Sequence, residues 1–473
     1  MLMKKVGKAA LIVLAAVVLY LIVGAVAPFI KTKVMEDTAK ADEMVQRVQT
    51  DRESPDRAKI IETNQAALEE RIRLIHMAKE RIVLTTFDMR EGESTSDILA
   101  MLYQKAEEGV KVQILVDGIS GFMRMQGVPL FLTVAAHDNI EIRIYDELNP
   151  ALPWKAMGCM HDKYLIIDHM AYLLGGRNTF DYFIGEYLTD GMSFDREALV
   201  YNTDVENTGS SVYELYDYFE KMWQYEECTG YGEESLPEKD REEMTIFLKE
   251  RYRSLQSQYP QLFEPYDYGE NTFETKGITL LSNETHIYGK EPVVFYELTE
   301  LMKQAKENVV VHTPYVVMND YMKETLTEVC EKVPVTMMVN ARENGDNLIA
   351  SSDYTYHRGD VLDTGVSLLE YMGGTSYHGK SLVIDDEIAI VGSYNFDMRS
   401  TYVDTELMIA IRSEEVAGEL KGYMEEFHKA CRKVKPDGGE ELPEQLDLPE
   451  LSLGKKVIFR GLGAIMQLFR VFV

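Results

Sequence analysis

The chain has 473 residues, with 49 lysines and arginines against 79 aspartates and glutamates, a formal net charge of −30 and four cysteines. Setting the two ends aside leaves roughly 400 residues, enough for two domains that each bury a core. So acidic a balance disfavours a general binder of nucleic-acid backbone. Cysteines at 159, 228, 330 and 431, far apart and not clustered with histidine, specify neither a disulfide framework nor a metal centre.

In chain order, Lys4, Lys5 and Lys8 lead into an unbroken apolar stretch over 9–30, closed by Lys31 and Lys33. As a helix it spans about 33 Å, the thickness of a bilayer core. Ala25-Val26-Ala27 resembles a signal-peptide cleavage site, but the apolar region is long for a cleaved leader, so the expectation is an uncleaved single-pass anchor in the cell membrane. A helical connector is expected over 31–65 and a first α/β domain over 66–227. Residues 228–275, opening on the acidic run Glu233 to Glu243, read as an inter-repeat insertion, and 276–435 as a second α/β domain. A Pro-, Gly- and Glu-rich linker follows over 436–452. The last segment, 453–473, carries Lys455, Lys456, Arg460 and Arg470 without an acid, and Phe459, Leu462, Ile465, Met466 and Phe469 recur at helical spacing. That pattern fits a basic amphipathic helix lying on anionic lipid, or equally a terminal helix docked on its own domain.

Within the two domains the chain repeats itself. His161-Asp-Lys163-Tyr-Leu-Ile-Ile-Asp168 leads to Gly175-Gly176-Arg177-Asn178, and His378-Gly-Lys380-Ser-Leu-Val-Ile-Asp385 leads to Gly392-Ser393-Tyr394-Asn395. Each matched residue lies 217 positions from its counterpart, since 378 − 161 and 395 − 178 agree. The repeat extends outward. Ala78-Lys79-Glu80 precedes Ile82-Val83-Leu84 as Ala305-Lys306-Glu307 precedes Val309-Val310-Val311, and Asp195-Arg196-Glu197 echoes Asp404-Thr405-Glu406. Strands alternating with helices, twice over, predict two α/β units with mixed sheets.

In a strand, side chains two apart share a face, so His161 and Lys163 project together, as do His378 and Lys380. An imidazole beside an ammonium suits an anionic substrate: the lysine clamps a phosphate oxygen and takes up transition-state charge. Asn178, Ser393 and Asn395 are the expected further phosphate ligands. Two histidines facing each other across the domains can divide a phosphodiester exchange without a metal or other cofactor, one neutral and attacking, the other protonated and donating to the leaving oxygen. Glu197 and Glu406 are the candidates to fix the histidine tautomers, and Asp168 and Asp385, at their strand ends, brace the site.

These paired motifs resemble the phospholipase D superfamily and, within it, bacterial cardiolipin synthases of the phospholipase D type. Gly175 to Asn178 with Asp181-Tyr182-Phe183, Thr313-Pro314-Tyr315, and Gly392 to Ser400 leading to Glu406 carry the likeness, over roughly residues 60 to 430. It implies two duplicated α/β/α sandwich domains packed about a pseudo-two-fold axis, with one shared site. It also implies a catalytic set of His161, Lys163, Asp168, His378, Lys380 and Asp385, with His161 the nucleophile and His378 the acid. The implied reaction transfers a phosphatidyl group onto phosphatidylglycerol. Hydrolysis of a phospholipid through the same phosphohistidine is the alternative, a non-catalytic membrane scaffold a more distant one, and no nucleic-acid partner is expected.

Overall fold

The computed structural model describes residues 2–189, 191–232, 236–443, 453–467 and 469–473. Parts of the predicted acidic run and linker, 233–235 and 444–452, lie outside them.

Seven strands of the first half recur as seven in the second. The first set is β1 (Asp56–Ile61), β2 (Arg81–Thr86), β3 (Lys111–Asp117), β4 (Ile140–Tyr145), β5 (Tyr164–Ile167), β6 (Ala171–Gly175) and β7 (Glu197–Asn202). The second is β8 (Ile278–Ser282), β9 (Val309–His312), β10 (Val335–Asn340), β11 (Ser367–Tyr371), β12 (Ser381–Ile384), β13 (Ile388–Gly392) and β14 (Leu407–Arg412). The sheets run β1-β7-β6-β5-β2-β3-β4 and β8-β14-β13-β12-β9-β10-β11, the same order twice. In each, three strands are parallel and joined by helical crossovers, while the hairpin that follows the histidine motif is antiparallel. The strands read as near-continuous apolar runs because both faces are covered. One apolar cluster joins them: Ile166, Tyr172 and Val200 of the first sheet pack with Val383, Val391 and Ile409 of the second. The halves therefore meet sheet face to sheet face.

Two predicted segments fold differently from expectation. The connector 31–65 contains one helix, α2 (Ala39–Gln49), but ends in β1, which pairs along its length with β7. Alternating burial of its side chains is what a strand at that position produces. The insertion 228–275 is no separate connection. Cys228–Gly230 extends the first sheet beside β4, Phe273–Glu274 extends it beside β1, and α3 (Glu238–Gln258) buries Leu248 and Leu255 in the first core. Its sparse leucines, diluted by charge, hid a packing stripe.

At the N-terminus, α1 (Leu2–Val26) and the short turn Ala27–Phe29 include 24 residues, Val6–Phe29, long and apolar enough to cross a membrane. At the C-terminus, α5 (Leu453–Met466) lies on α4 (Leu348–Asp363). A Cβ at Gly463 would come within 2.7 Å of the Ser352 carbonyl, and Arg470 pairs with the buried Asp353 at 2.9 Å. Of the two predicted arrangements, docking on its own domain is the one observed.

Candidate active site

Register places both histidines at one end of the sheets. Thr85 of β2 pairs with Tyr164 of β5, and His312 of β9 pairs with Ser381 of β12. His161 and His378, three residues earlier, therefore sit at the carboxyl ends of the parallel strands, where open α/β sheets gather ligands. Two bridges between the halves complete the arrangement. Met160 pairs with Thr405, and Phe194 with Tyr377. Each bridge brings the histidine after it in one half next to a carboxylate of the other.

The carboxylates are consequently exchanged. His161 Nδ1 lies 2.9 Å from Glu406 Oε1, and His378 Nδ1 lies 2.6 Å from Asp195 Oδ2. Glu406 reaches a histidine, but Glu197 does not. It is buried in a two-pronged bond to Arg71, with Arg177 Nε at 3.4 Å, and reaches no histidine. The reason is register. Gly175 stands opposite Glu197 and Gly392 opposite Met408, so the counterpart of Glu406 is Asp195, two residues before Glu197. Both halves contain an Asp-x-Glu, and matching those letters misaligned the strands by one side-chain repeat.

The residues after the hairpins complement these carboxylates. A Cβ at Gly176 would fall 2.4 Å from Asp195 Oδ1, so only glycine leaves space for that carboxylate. The equivalent Ser393 donates its hydroxyl to Glu406 Oε2 and accepts from Leu407 N at 3.0 Å. Ser393, expected on phosphate, thus spends its hydroxyl on holding Glu406. Gly175 and Gly392 permit close strand contact, since a Cβ would lie 2.3 Å from the Arg196 carbonyl and 2.2 Å from the Leu407 carbonyl respectively.

Asp168 and Asp385 stand at the far ends of β5 and β12, away from the histidines. Asp168 accepts from the backbone amides of Lys79, Glu80 and Arg81 at 2.9, 2.9 and 2.7 Å. Asp385 accepts from Lys306, Glu307 and Asn308 at 2.7, 2.8 and 3.1 Å. Both have left-handed backbones, φ 46° and 52°, which aspartate tolerates. The invariant spacing from histidine to aspartate is a strand length with a turn clamp at its end, and neither carboxylate belongs among the reacting groups.

Around the histidines the charges are buried. Lys163 donates to the His161 carbonyl and lies 5.3 Å from the Phe87 ring centre. Lys380 donates to the His378 carbonyl, with its Nζ also 3.1 Å from His378 Nε2. Burial pushes the Lys163 ammonium down to about 7 despite Glu406, with Lys380 adding to the fall, and Lys380 is lowered too. Burial likewise holds His161 well below the usual imidazole range, assisted by Lys163, Lys380 and His378. His378 is lowered by burial and Lys380, with Asp195 opposing. The carboxylates diverge. Burial raises Glu406 well above the usual carboxylate range against the pull of Lys163, whereas at Asp195 the pull of Lys380 and His378 outweighs burial and holds it low. A carboxyl whose ionised form is favoured thus backs one histidine, and a carboxyl that burial pushes toward its neutral form backs the other.

Asn178 accepts from Asp88 N at 3.2 Å, and the buried Oδ1 of Asn395 has no protein partner among the described residues. Phe87 lies edge-on to His161 at 5.2 Å, and Phe183 lies 5.0 Å from His378. Each imidazole keeps about a tenth of its surface open, 12% for His161 and 10% for His378. The arrangement can bind a phosphate diester between two lysines, with one ring nitrogen of each histidine turned to it.

The family model described as "Cardiolipin synthase, PLD-like domain" matches residues 71–223 and 298–428, more than half the chain. Cardiolipin synthase C of Escherichia coli is 23% identical over 423 residues, covering 80% of this chain and 86% of that one. Cardiolipin synthase 1 of Bacillus cereus is 23% identical over 384 residues, covering 80% and 67%. Among solved structures, phosphatidylserine synthase of Haemophilus influenzae superposes with a TM-score of 0.65 at 13% identity, covering 92% of this chain and all of the other. That likeness is one of fold. The duplicated sheets, the shared site and the family match agree: the chain belongs to the cardiolipin synthase, PLD-like domain family and is an enzyme of the phospholipase D superfamily, a phosphatidyltransferase or phosphodiesterase.

Proposed function

We propose that the protein is a membrane-anchored phosphatidyltransferase that moves a phosphatidyl group between two molecules of phosphatidylglycerol through a phosphohistidine. The observation that carries this reading is the exchange of carboxylates, because it joins the two histidines in one site and sets unlike partners behind them, Glu406 behind His161 and Asp195 behind His378. His161, held neutral, attacks phosphorus through Nε2. As the P–N bond forms, the P–O bond to the donor's glycerol breaks, and His378, protonated and oriented by ionised Asp195, gives its Nε2 proton to the departing oxygen. Glu406 bonds Nδ1 of His161 and leaves Nε2 to face phosphorus, so the ring keeps its Nδ1 proton through the phosphohistidine and is neutral again when the P–N bond breaks. Lys163 and Lys380 offset the charge on the phosphoryl oxygens, and that anion in turn raises both lysines from their lowered state.

In the second step neutral His378 removes the proton of the acceptor hydroxyl. The new P–O bond forms, the P–N bond breaks, and cardiolipin leaves with free glycerol already released. Two in-line displacements retain configuration at phosphorus. The exposed apolar helix α1 supports lipid as the substrate class, and the relatives' names agree. The test is to incubate the detergent-solubilised full chain with labelled phosphatidylglycerol and identify products by mass. Cardiolipin plus glycerol is expected. Phosphatidic acid in place of cardiolipin would convert the reading to a hydrolase, and no turnover of any phospholipid would overturn it.

A further inference from the structure

We infer that the end of the molecule bearing the catalytic mouth carries an apolar rim, built from both halves, that rests on an anionic phospholipid bilayer and seats the mouth on the membrane surface. The inference deepens the membrane reading above and rests on it.

The rim follows from topology. The turn after β3 leaves from the same sheet end as His161, because β2, β3 and β4 are parallel and in register. Its Ser120 hydroxyl bonds Asp88, whose amide donates to Asn178, so this turn borders the site. Two residues on, Phe122 and Met123 stand 53% and 61% exposed, with exposed Arg124 beside them. The second half repeats the arrangement at the turn after β10. There Asp346 accepts from Tyr315, whose ring centre is 6.4 Å from His378. The next residues but one, Leu348 and Ile349, open α4 with nearly half their surface in solvent. Large apolar groups left in water at these positions call for a cover.

The occupant is identified by α1. This helix packs on the stretch after β4, which leaves from the same sheet end. Its Tyr20 hydroxyl donates to the Ala151 carbonyl at 2.8 Å, and Gly24 abuts Pro153. At the helix foot, Phe29 stacks edge-on with Phe472 of the chain terminus at 5.6 Å. A bilayer crossed by α1 therefore lies on the mouth side of the body, where apolar side chains flanked by arginine suit an anionic interface. The opposite end is different in kind. Its turns present exposed Lys79, Glu80, Lys306 and Glu307, with Val205 an isolated apolar side chain.

The experiment uses the full chain in vesicles of phosphatidylglycerol. Tryptophan is placed at the rim by Phe122→Trp or Leu348→Trp, and at the far end by Val205→Trp. In vesicles containing brominated phosphatidylglycerol, the rim tryptophans are expected to lose fluorescence relative to wild type and the Val205→Trp signal to stay unchanged. In parallel, the Phe122→Asp/Met123→Asp and Leu348→Asp/Ile349→Asp pairs are expected to lose about tenfold or more in turnover on vesicles. Both pairs should keep wild-type turnover of a short-chain phosphatidylglycerol held below its micelle concentration. Unquenched rim tryptophans in vesicle-bound protein would overturn the rim even if the wild type makes cardiolipin, and would point to a protein cover instead. Quenched rim tryptophans in a wild type that turns over no phospholipid would support the rim while overturning the proposed reaction.

Discussion

The two halves share a sheet order, a histidine–lysine pair and an aspartate turn clamp, yet they support their histidines differently. In the first half, glycine at 176 makes room for the short, ionised Asp195, which backs the other half's His378. In the second, Ser393 grips the longer Glu406, which burial pushes toward its neutral form and which backs His161. Duplication by itself yields two equivalent sites, whereas a phosphodiester exchange needs an attacking group and a proton donor. The halves differ in the carboxylates: the histidines are alike and their partners unlike. Because each partner comes from the opposite half, neither half is complete alone.

The largest test of this comparison is removal of the histidines. His161→Ala and His378→Ala should each lower turnover of phosphatidylglycerol by about 10⁴-fold or more, since each removes a group acting on the reacting bonds. They should separate on a phosphodiester with an acidic leaving group such as p-nitrophenol, which needs no proton. His378→Ala should then release a single burst of p-nitrophenol, and His161→Ala none. Equal behaviour of the two variants in a stopped-flow burst assay would erase the asymmetry.

Next is Glu197, which a match of sequence letters makes equivalent to Glu406. Glu197→Ala strands Arg71 and Arg177 in the core and should cost about 3–5 kcal/mol of stability, the usual result of breaking a buried ion pair. A urea melt measures this, and the protein that remains folded should keep its pH profile. Asp195→Asn should do the reverse. It should lower turnover about 10²-fold, as loss of a carboxylate that orients a histidine typically does, with little change in the melt.

Its pH dependence has a definite sign. The alkaline limb of kcat/KM reports loss of the proton from His378, whose pKa is already below the ordinary imidazole value and is held up by Asp195. Removing that anion moves the limb to lower pH, while Glu406→Gln, acting on His161, leaves the alkaline limb in place. The smallest effect belongs to Ser393→Ala. Glu406 keeps its histidine but loses one hydrogen bond, so a decrease of about tenfold, near the worth of one bond to a charged group, is expected in kcat.

Much of this was legible in the chain. The 217-residue offset fixed the duplication, the period-2 placement of His161 and Lys163 fixed their common face, and the apolar strand cores fixed the α/β class. Pairings between distant segments were not legible. Asp195 escaped notice because the loop after Asn178 differs in length from that after Asn395, so the offset falls from 217 to 211 between histidine and carboxylate. Sequence identity then favoured the wrong Asp-x-Glu alignment, and only the pairing of Gly175 with Glu197 and of Gly392 with Met408 restores the right one. Asp168 and Asp385 were visible as repeated residues, but their partners are backbone amides as far as 89 and 79 positions earlier, which no side-chain pattern announces. Residues 56–61 looked like part of a connector because an edge strand's value depends on a partner, β7, that lies far along the chain.

The central claim, that unlike carboxylates make like histidines unequal, is tested most directly by locating the covalent intermediate. Wild type and the His378→Ala variant, quenched during turnover of labelled phosphatidylglycerol and digested, should both carry the phosphatidyl group on His161 by mass spectrometry, with more of it in His378→Ala because the second step lacks its base. An adduct on His378, or one that survives in His161→Ala, would contradict the account.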